Sequence, residues 1–416
     1  MTGGEQAHST ADAVARRSYG KLVAYLAART QDVAAAEDAL SEAFAAALAN
    51  WPQNGCPANP EAWLLTVARR KLIDAFRSNH ADQFGEGELD RLLAAAPVTT
   101  EIPDERLAML FACANPAIEE AVRAPLMLQV VLGLDAKAIA SAFLTSPDAM
   151  SKRLVRAKTK IRAAQIPFRV PERAELAGRL DAVLDAIYAA YSEGWTDPAA
   201  TDAARRDLAE EAIFLARLVA ELMPQEAEAL GLLSLLLHTE ARRSARRAID
   251  KERAAQQEFV PLAEQDPSRW DAELVDEAES LLREASALGS LGRFQLQAAL
   301  QSAHVYRRRT GHGNWADIVE LYDALLALTG SPVVAINRAV ALAELKGAAA
   351  GLEALDQLAD DDRLGEYQPW WAARAELLAR TGAHVEARHA YSVAIGLERD
   401  DAVRRFLTRR QAALQN

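Results

Sequence analysis

The stretch LTSPDAMSKRLVRAKTKIR, residues 144–162, limits what this chain can fold into more than any other. Pro147 has no backbone N–H to donate and fits only the first turn of a helix. Ser146 before it is a good N-cap, and Asp148 after it suits the positive end of the helix dipole. A helix therefore starts at residue 147. Met150, Leu154, Ala157 and Ile161 follow at spacings of four, three and four, which puts them on one face. Lys152, Arg153, Arg156 and Lys160 point elsewhere. Upstream, Asp135 can cap a shorter helix over residues 136–143, and LTSP breaks the chain between the two. Two helices so joined make a helix-turn-helix, a frame that lays its second helix in the major groove of DNA. Residues 151–162 carry six Lys or Arg and no Asp or Glu. A solvated surface helix would share the apolar stripe, but it needs neither the frame nor an acid-free run. The stretch reads as a nucleic-acid-binding helix.

This basic block sits in an acidic protein. The 416 residues have a net charge of −12. Residues 1–170 hold 19 acidic and 19 basic side chains, so the whole deficit falls in residues 171–416. An acidic body argues against broad coating of nucleic acid and leaves room for one local basic site. Ala, Leu, Glu and Arg dominate and Val and Ile are sparse, which favours an all-α fold throughout. No run of about 18 apolar residues is present, and the N-terminus lacks a signal pattern, so no membrane association is expected. Cys56 and Cys113 are isolated, which fits a reducing cytoplasm. No nucleophile–base–acid set, phosphate-binding glycine motif or metal-ligand spacing stands out. His384 and His389 flank Glu386 in HVEARH, which is not the zinc spacing of two histidines four apart. The expectation is a protein with no catalytic residues, no metal and no cofactor.

Along the chain, residues 15–28 and 33–49 read as helices, the second with Leu40, Phe44 and Ala47 on one face. NWPQNGCPANP, residues 50–60, reads as a non-helical connector because of its prolines and glycine. A helix then runs from Pro60, capped by Asn59, to about Arg77, with Leu65, Ala68, Leu72 and Ala75 as its buried stripe. Residues 79–103 are polar and acidic and read as a linker. Helices resume at 104–112 and 118–132. From about residue 171 the chain is helical to its end. GNWADIVELYDALLAL, GAAAGLEALDQL and GAHVEARHAYSVAIGL start at Gly313, Gly347 and Gly382, so they recur every 34 to 35 residues, the tetratricopeptide (TPR) period. The RRR run at 307–309 reads as a helix end, and WW at 370–371 as repeat packing.

Two separate segments match one family. DVAAAEDALSEAFAAALANW followed by PEAWLLTVARRKLIDAFR resembles region 2 of bacterial RNA polymerase sigma factors of the extracytoplasmic-function (ECF) type, in the sigma-70 family. The match is carried by Glu37-Asp38-Ala39-Leu40-Ser41-Glu42-Ala43-Phe44, by Ala62-Trp63-Leu64, by Ala68-Arg69-Arg70, and by Ile73-Asp74 with Arg77. Ser151-Lys152-Arg153-Leu154-Val155-Arg156-Ala157-Lys158 resembles the end of the region 4 helix-turn-helix. AIYAAYSEGWTDPAA, AEALGLLSLLLH and SPVVAINRAVALAELKG look like the subgroup with a large TPR-like C-terminal extension. QDPSRWD departs from that subgroup, with Pro267 where an arginine is expected. The resemblance implies region 2 over 1–78, an acidic linker over 79–103, region 4 over 104–166 and a helical regulatory or interaction domain over 167–416.

It also implies roles. A sigma factor is not an enzyme; it directs polymerase to promoters and helps open the duplex. Region 4 reads the −35 element as duplex, with Ser151, Lys152, Arg153, Arg156, Lys158 and Lys160 as candidate DNA contacts. Region 2 captures the −10 element as the strands separate. There the candidates are Asn50, Gln53, Asn54 and Asn59 in the connector, and Arg69, Arg70, Lys71 and Arg77 for the backbone. Trp63 is either a stacking wedge or a core residue. Glu37, Asp38, Leu40, Glu42 and Phe44 would dock core polymerase at the clamp helices of its largest subunit, with Leu40 and Phe44 either anchoring or purely core. The other implied contacts are the β-subunit flap, promoter DNA, and a protein partner or intramolecular contact for the tail. The acidic linker either lies in the RNA exit path or is merely solvated. The competing reading is a helix-turn-helix regulator that works without polymerase and carries a repeat interaction domain.

Overall fold

The computed structural model describes residues 3–30, 33–79, 102, 104–164, 166, 169–195, 203–249 and 257–415. These form α-helices joined by short turns, with one small antiparallel ribbon, so the chain is all-α. It divides after Leu218 into two compact units.

The first unit begins with three helices that pack on one another, α1 (Gly3–Thr30), α2 (Val33–Asn54) and α3 (Pro60–Asn79). Leu22, Leu26, Leu40, Ala43, Ala47, Leu64, Ala68 and Leu72 are buried among them. The stripe on α3 is thus Leu64, Ala68 and Leu72; Leu65 is only half-buried and Ala75 is exposed. Asn59 caps α3 as expected, its Oδ1 accepting from the Ala62 N–H at 3.0 Å. The connector before it is shorter than the prolines suggest, because α2 continues through Pro52 to Asn54. Trp51 is 1% exposed. Continuing the helix through Pro52 seats that indole in the core and works against the roughly 3 kcal/mol that a proline inside a helix costs. The helix ends where Gly55, at φ 83°, donates to the Trp51 carbonyl at 2.9 Å.

Next come α4 (Glu105–Cys113), α5 (Glu120–Val130), α6 (Ala136–Ala142) and α7 (Pro147–Ala163). Asp104 caps α4 through the Arg106 and Leu107 N–H groups, and Asp135 caps α6 through Ala138. Helix α1 comes close to the turn that follows α5: a Cβ on Gly20 would lie 1.5 Å from the Val131 carbonyl oxygen. The unit does not stop at residue 166. Helix α8 (Arg173–Trp195) packs on α4, α5 and α6. Its Arg179 is 4% exposed and donates to the Phe111 carbonyl at 3.0 Å. Helix α9 (Ala203–Leu222) adds Glu211, which pairs with Arg106 of α4, and Phe214, which Arg106 overlies at 5.7 Å. The boundary expected at 166/167 therefore marks no break in packing. The linker expected over 79–103 lies almost entirely outside the described residues.

The second unit runs on through α10 (Ala227–Glu240), strands β1 (Arg247–Ile249) and β2 (Gln257–Phe259), and α11 (Ala272–Ala287) to α12 (Arg293–Thr310). Helix pairs follow: α13 (Trp315–Thr329) with α14 (Pro332–Lys346), α15 (Ala348–Asp356) with α16 (Gln368–Arg380), then α17 (His384–Leu397) and α18 (Asp401–Ala412). Gly347 and Gly382 sit at φ 98° and 81° in the turns before α15 and α17, as the repeat pattern anticipates. Gly351 lets α15 cross α14, since a Cβ there would fall 2.6 Å from that of Ala343. The ribbon pairs Arg247 with Phe259 and Ile249 with Gln257. It rests on the last helix through Arg247–Asp400, Glu258–Arg409 and an edge contact of Phe259 with Phe406 at 5.5 Å. The QDPSRWD segment is an internal brace. Asp266 caps a short turn that begins at Pro267, Arg269 donates to the carbonyls of Ser244 and Arg247, and Trp270 is buried.

Candidate nucleic-acid interface

Helix α7 is built as its sequence requires. Ser146 Oγ accepts from the Ala149 N–H at 3.3 Å, and Met150 and Leu154 are 0% and 2% exposed. Ala157 and Ile161 are half-buried on the same side. The turn that aims the helix passes through Leu144 at φ 48°, a strained value for a leucine, and Thr145 donates to the Ala140 carbonyl at 3.0 Å. Ser151, Lys152, Arg153, Arg156 and Lys160 all stand exposed. Arg156 folds back along the helix, its Nε 3.3 Å from the Lys152 carbonyl. The start of α5 and this helix enclose a groove of about 620 Å³, floored by Ile118, Val122 and Ile161 and rimmed by Lys152, Arg153 and Lys160. Val155 and Thr159 also stand exposed on the outward ridge, and neither carries a charge that marks it in the sequence.

Lys158 differs from its neighbours. It is half-buried and its Nζ lies 2.7 Å from Glu37 Oε2 on α2, 121 residues away. One bond thus joins a candidate −35 contact to a candidate polymerase contact, and neither is presented to an outside partner in this arrangement. Cys113, at the end of α4, is fully buried beside the pair. Burial pushes its thiol pKa up, nearby Glu37 adds to the rise, and Lys158 opposes it. Tyr19 of α1 is also raised, by burial first, with a hydrogen bond to Ser41 opposing and Glu37 adding.

The remaining region 2 candidates are scattered in exposure. Asn50, Gln53 and Asn54 are exposed, but on the last turn of α2 and not in a loop. Asn59 is exposed and its side chain is engaged as the α3 cap. Trp63 is half-buried, edge-on to Trp51 at 5.5 Å. Arg69 is held by the Tyr25 hydroxyl and lies 5.1 Å from that ring's centre. Arg70 is exposed, and Lys71 pairs with Glu42 at 3.0 Å across α2 and α3. Arg77 lies on α3, its side chain outside the described set. Of the docking candidates, Asp38 and Glu42 are exposed, Leu40 is wholly core at 0% exposure, and Phe44 is half-buried against Tyr19. Among the described residues, no three His, Cys, Asp or Glu side chains are grouped to hold a metal ion, and no helix is long and apolar enough to cross a membrane.

Residues 14–81 match Sigma-70 region 2, and residues 179–286 match a family of unknown function, DUF6596, which spans the division between the two units. The region 2 match, with the helix-turn-helix behind it, supports a sigma-70-family factor with a sigma-factor-like role in transcription initiation, a class that in general binds core RNA polymerase and promoter DNA. An uncharacterized protein of Rhizobium meliloti (strain 1021) is 36% identical over 394 residues, covering 92% of this chain and 89% of that protein. The chain belongs to one family with it. No solved structure matches the chain.

Proposed function

We propose that this chain is an alternative sigma factor of the ECF type. It carries no catalytic chemistry of its own and works in the cytoplasm, bringing core polymerase to specific promoters and assisting melting at the −10 element. The reading is carried by one observation: a Sigma-70 region 2 match over residues 14–81 is followed by a helix-turn-helix whose outward face is cationic. On this reading Asp38, Glu42 and the released Glu37 dock on the clamp helices, with Phe44 shaping that surface and Leu40 holding it from within. Asn50, Gln53 and Asn54 present amides from the end of α2, beside Arg70. Lys152, Arg153, Arg156 and Lys160 meet the upstream duplex, where phosphate contacts position the helix and base-edge contacts specify sequence. Region 4 also meets the β-subunit flap.

The C-terminal helices form a TPR-like domain that regulates the front part. Its first two helices, α8 and α9, already belong to the region 4 packing, which supports a mechanical link between tail and recognition helix. Reconstitution with core polymerase on a library of promoter fragments tests the core of the proposal. Discrete start sites that require the full chain are expected; core polymerase unaffected by the chain would refute it. Truncation after residue 218 tests the tail, since a cut at 166 would also strip α8 from region 4. Promoter-directed transcription unchanged by that truncation would remove the regulatory role.

A further inference from the structure

Val155 is 61% exposed, the highest value of any large hydrophobic residue described in the first unit. It lies at the middle of α7, on an outward ridge turned away from buried Met150 and Leu154. At 100° per residue, Ser151, Lys152, Val155 and Thr159 share that ridge, and all four are exposed. The core does not account for the valine, since it stands 61% exposed, about 100° around the helix from Leu154 and about 140° from Met150. Helix propensity does not account for it either, because a β-branched side chain on an exposed helix surface is less favourable than alanine by about half a kcal/mol. What surrounds it is cationic: Lys152 one turn before and Arg156 beside it are both exposed.

We propose that Val155 is a specificity-determining residue that packs on the C5-methyl group of a thymine in the upstream element. The inference rests on the promoter-binding reading above and deepens it. Lys152 and Arg156 draw the helix to phosphates, which hold it in the groove without reading sequence. Inside the major groove the thymine methyl is the one apolar group on a base edge, and apolar side chains contact it. Any other base at that position leaves the valine against polar edges whose water it displaces without replacing their hydrogen bonds.

The test uses the full chain bound to core polymerase. A duplex library randomised over the upstream element is selected for binding, and each thymine of the enriched element is then replaced by deoxyuridine, which removes only the methyl. At one thymine, loss of the methyl is expected to weaken binding about four-fold, the worth of one buried methyl-sized group. Val155→Ala should weaken binding to the thymine duplex by a similar factor and show no further loss with deoxyuridine there. Lys152→Ala should weaken binding to every duplex and keep the deoxyuridine penalty. Helix content by circular dichroism should be unchanged in Val155→Ala, as the side chain is solvent-facing. A deoxyuridine penalty that persists in full in Val155→Ala, or no methyl-sensitive thymine at all, overturns the inference while leaving promoter binding intact. Failure of the holoenzyme to enrich any element overturns the promoter reading itself, and the inference with it.

Discussion

The Glu37–Lys158 pair is the most informative bond to break, because it crosses from α2 to α7 and nothing in the local sequence of either helix requires it. The two side chains are 13% and 28% exposed, with nitrogen and oxygen 2.7 Å apart. Two unit charges about 4 Å apart attract by roughly 4 kcal/mol at an effective dielectric of 20. Partial desolvation takes back more than half, leaving a net coupling of about 1–2 kcal/mol. Lys158→Glu or Glu37→Lys puts like charges together and should loosen the contact by at least that amount. The reporter is Cys113, which is 0% exposed beside the pair. In a Cys56→Ser background, its reaction with a thiol reagent requires local opening. A loss of about 1.5 kcal/mol should speed that reaction roughly ten-fold. The double variant Glu37→Lys with Lys158→Glu restores opposite charges and should return the rate to within about two-fold of the parent. Labelling of Cys113 that ignores both single reversals would show that the bond does not hold α2 and α7 together.

Other outcomes follow from burial and space. Arg179→Met keeps the bulk of a side chain that is 4% exposed but removes the donor to Phe111, and urea unfolding should show a loss of about 1–3 kcal/mol. Gly20→Ala raises helix propensity yet drives a Cβ to 1.5 Å from the Val131 oxygen, so the melting temperature should fall; a rise would mean that α1 and the end of α5 part freely. His238 is fully buried with its pKa lowered to about 4, chiefly by burial and then by Arg242 and Arg309. Between about pH 6.5 and 4 the unfolded state binds the proton and the folded state does not, so stability falls with pH by at most about 3 kcal/mol across that window, and His238→Gln should flatten the slope.

What the sequence makes plain is punctuated locally. Ser146-Pro147-Asp148 marks the start of α7 because capping and the missing proline N–H act within four residues, and Asn59-Pro60 does the same for α3. The 4-3-4 spacing of Met150, Leu154, Ala157 and Ile161 identifies the inner face for the same reason. Three features escape such rules. Pro52 reads as a helix end, but the helix runs through it and the seating of Trp51 in the core that accompanies this is tertiary. Lys158 reads as one more cation on a basic helix, since its partner lies 121 residues upstream. An apolar stripe on α8 says that something covers it, not that α4, α5 and α6 do, so the division at residue 166 follows motif ends and the packing does not.

The dimensions of the promoter give the Glu37–Lys158 contact its meaning on the proposed reading. Elements centred at −35 and −10 are about 25 base pairs apart, roughly 85 Å along the duplex at 3.4 Å per step. Helix α7, with 17 residues, is only about 26 Å long. On that reading the contact between α2 and α7 opens when the −10 strand and the upstream groove are both engaged. The roughly 25 residues between regions 2 and 4 have a contour length of about 85 Å when fully extended, just enough to bridge that separation. Breaking the contact frees Glu37 and Lys158 in the same step, one for polymerase and one for DNA. On that reading polymerase binding and upstream recognition draw on the same ion pair, which must open for Glu37 and Lys158 to reach their partners, while the exposed Lys152, Arg153, Arg156 and Lys160 can face the duplex in either state.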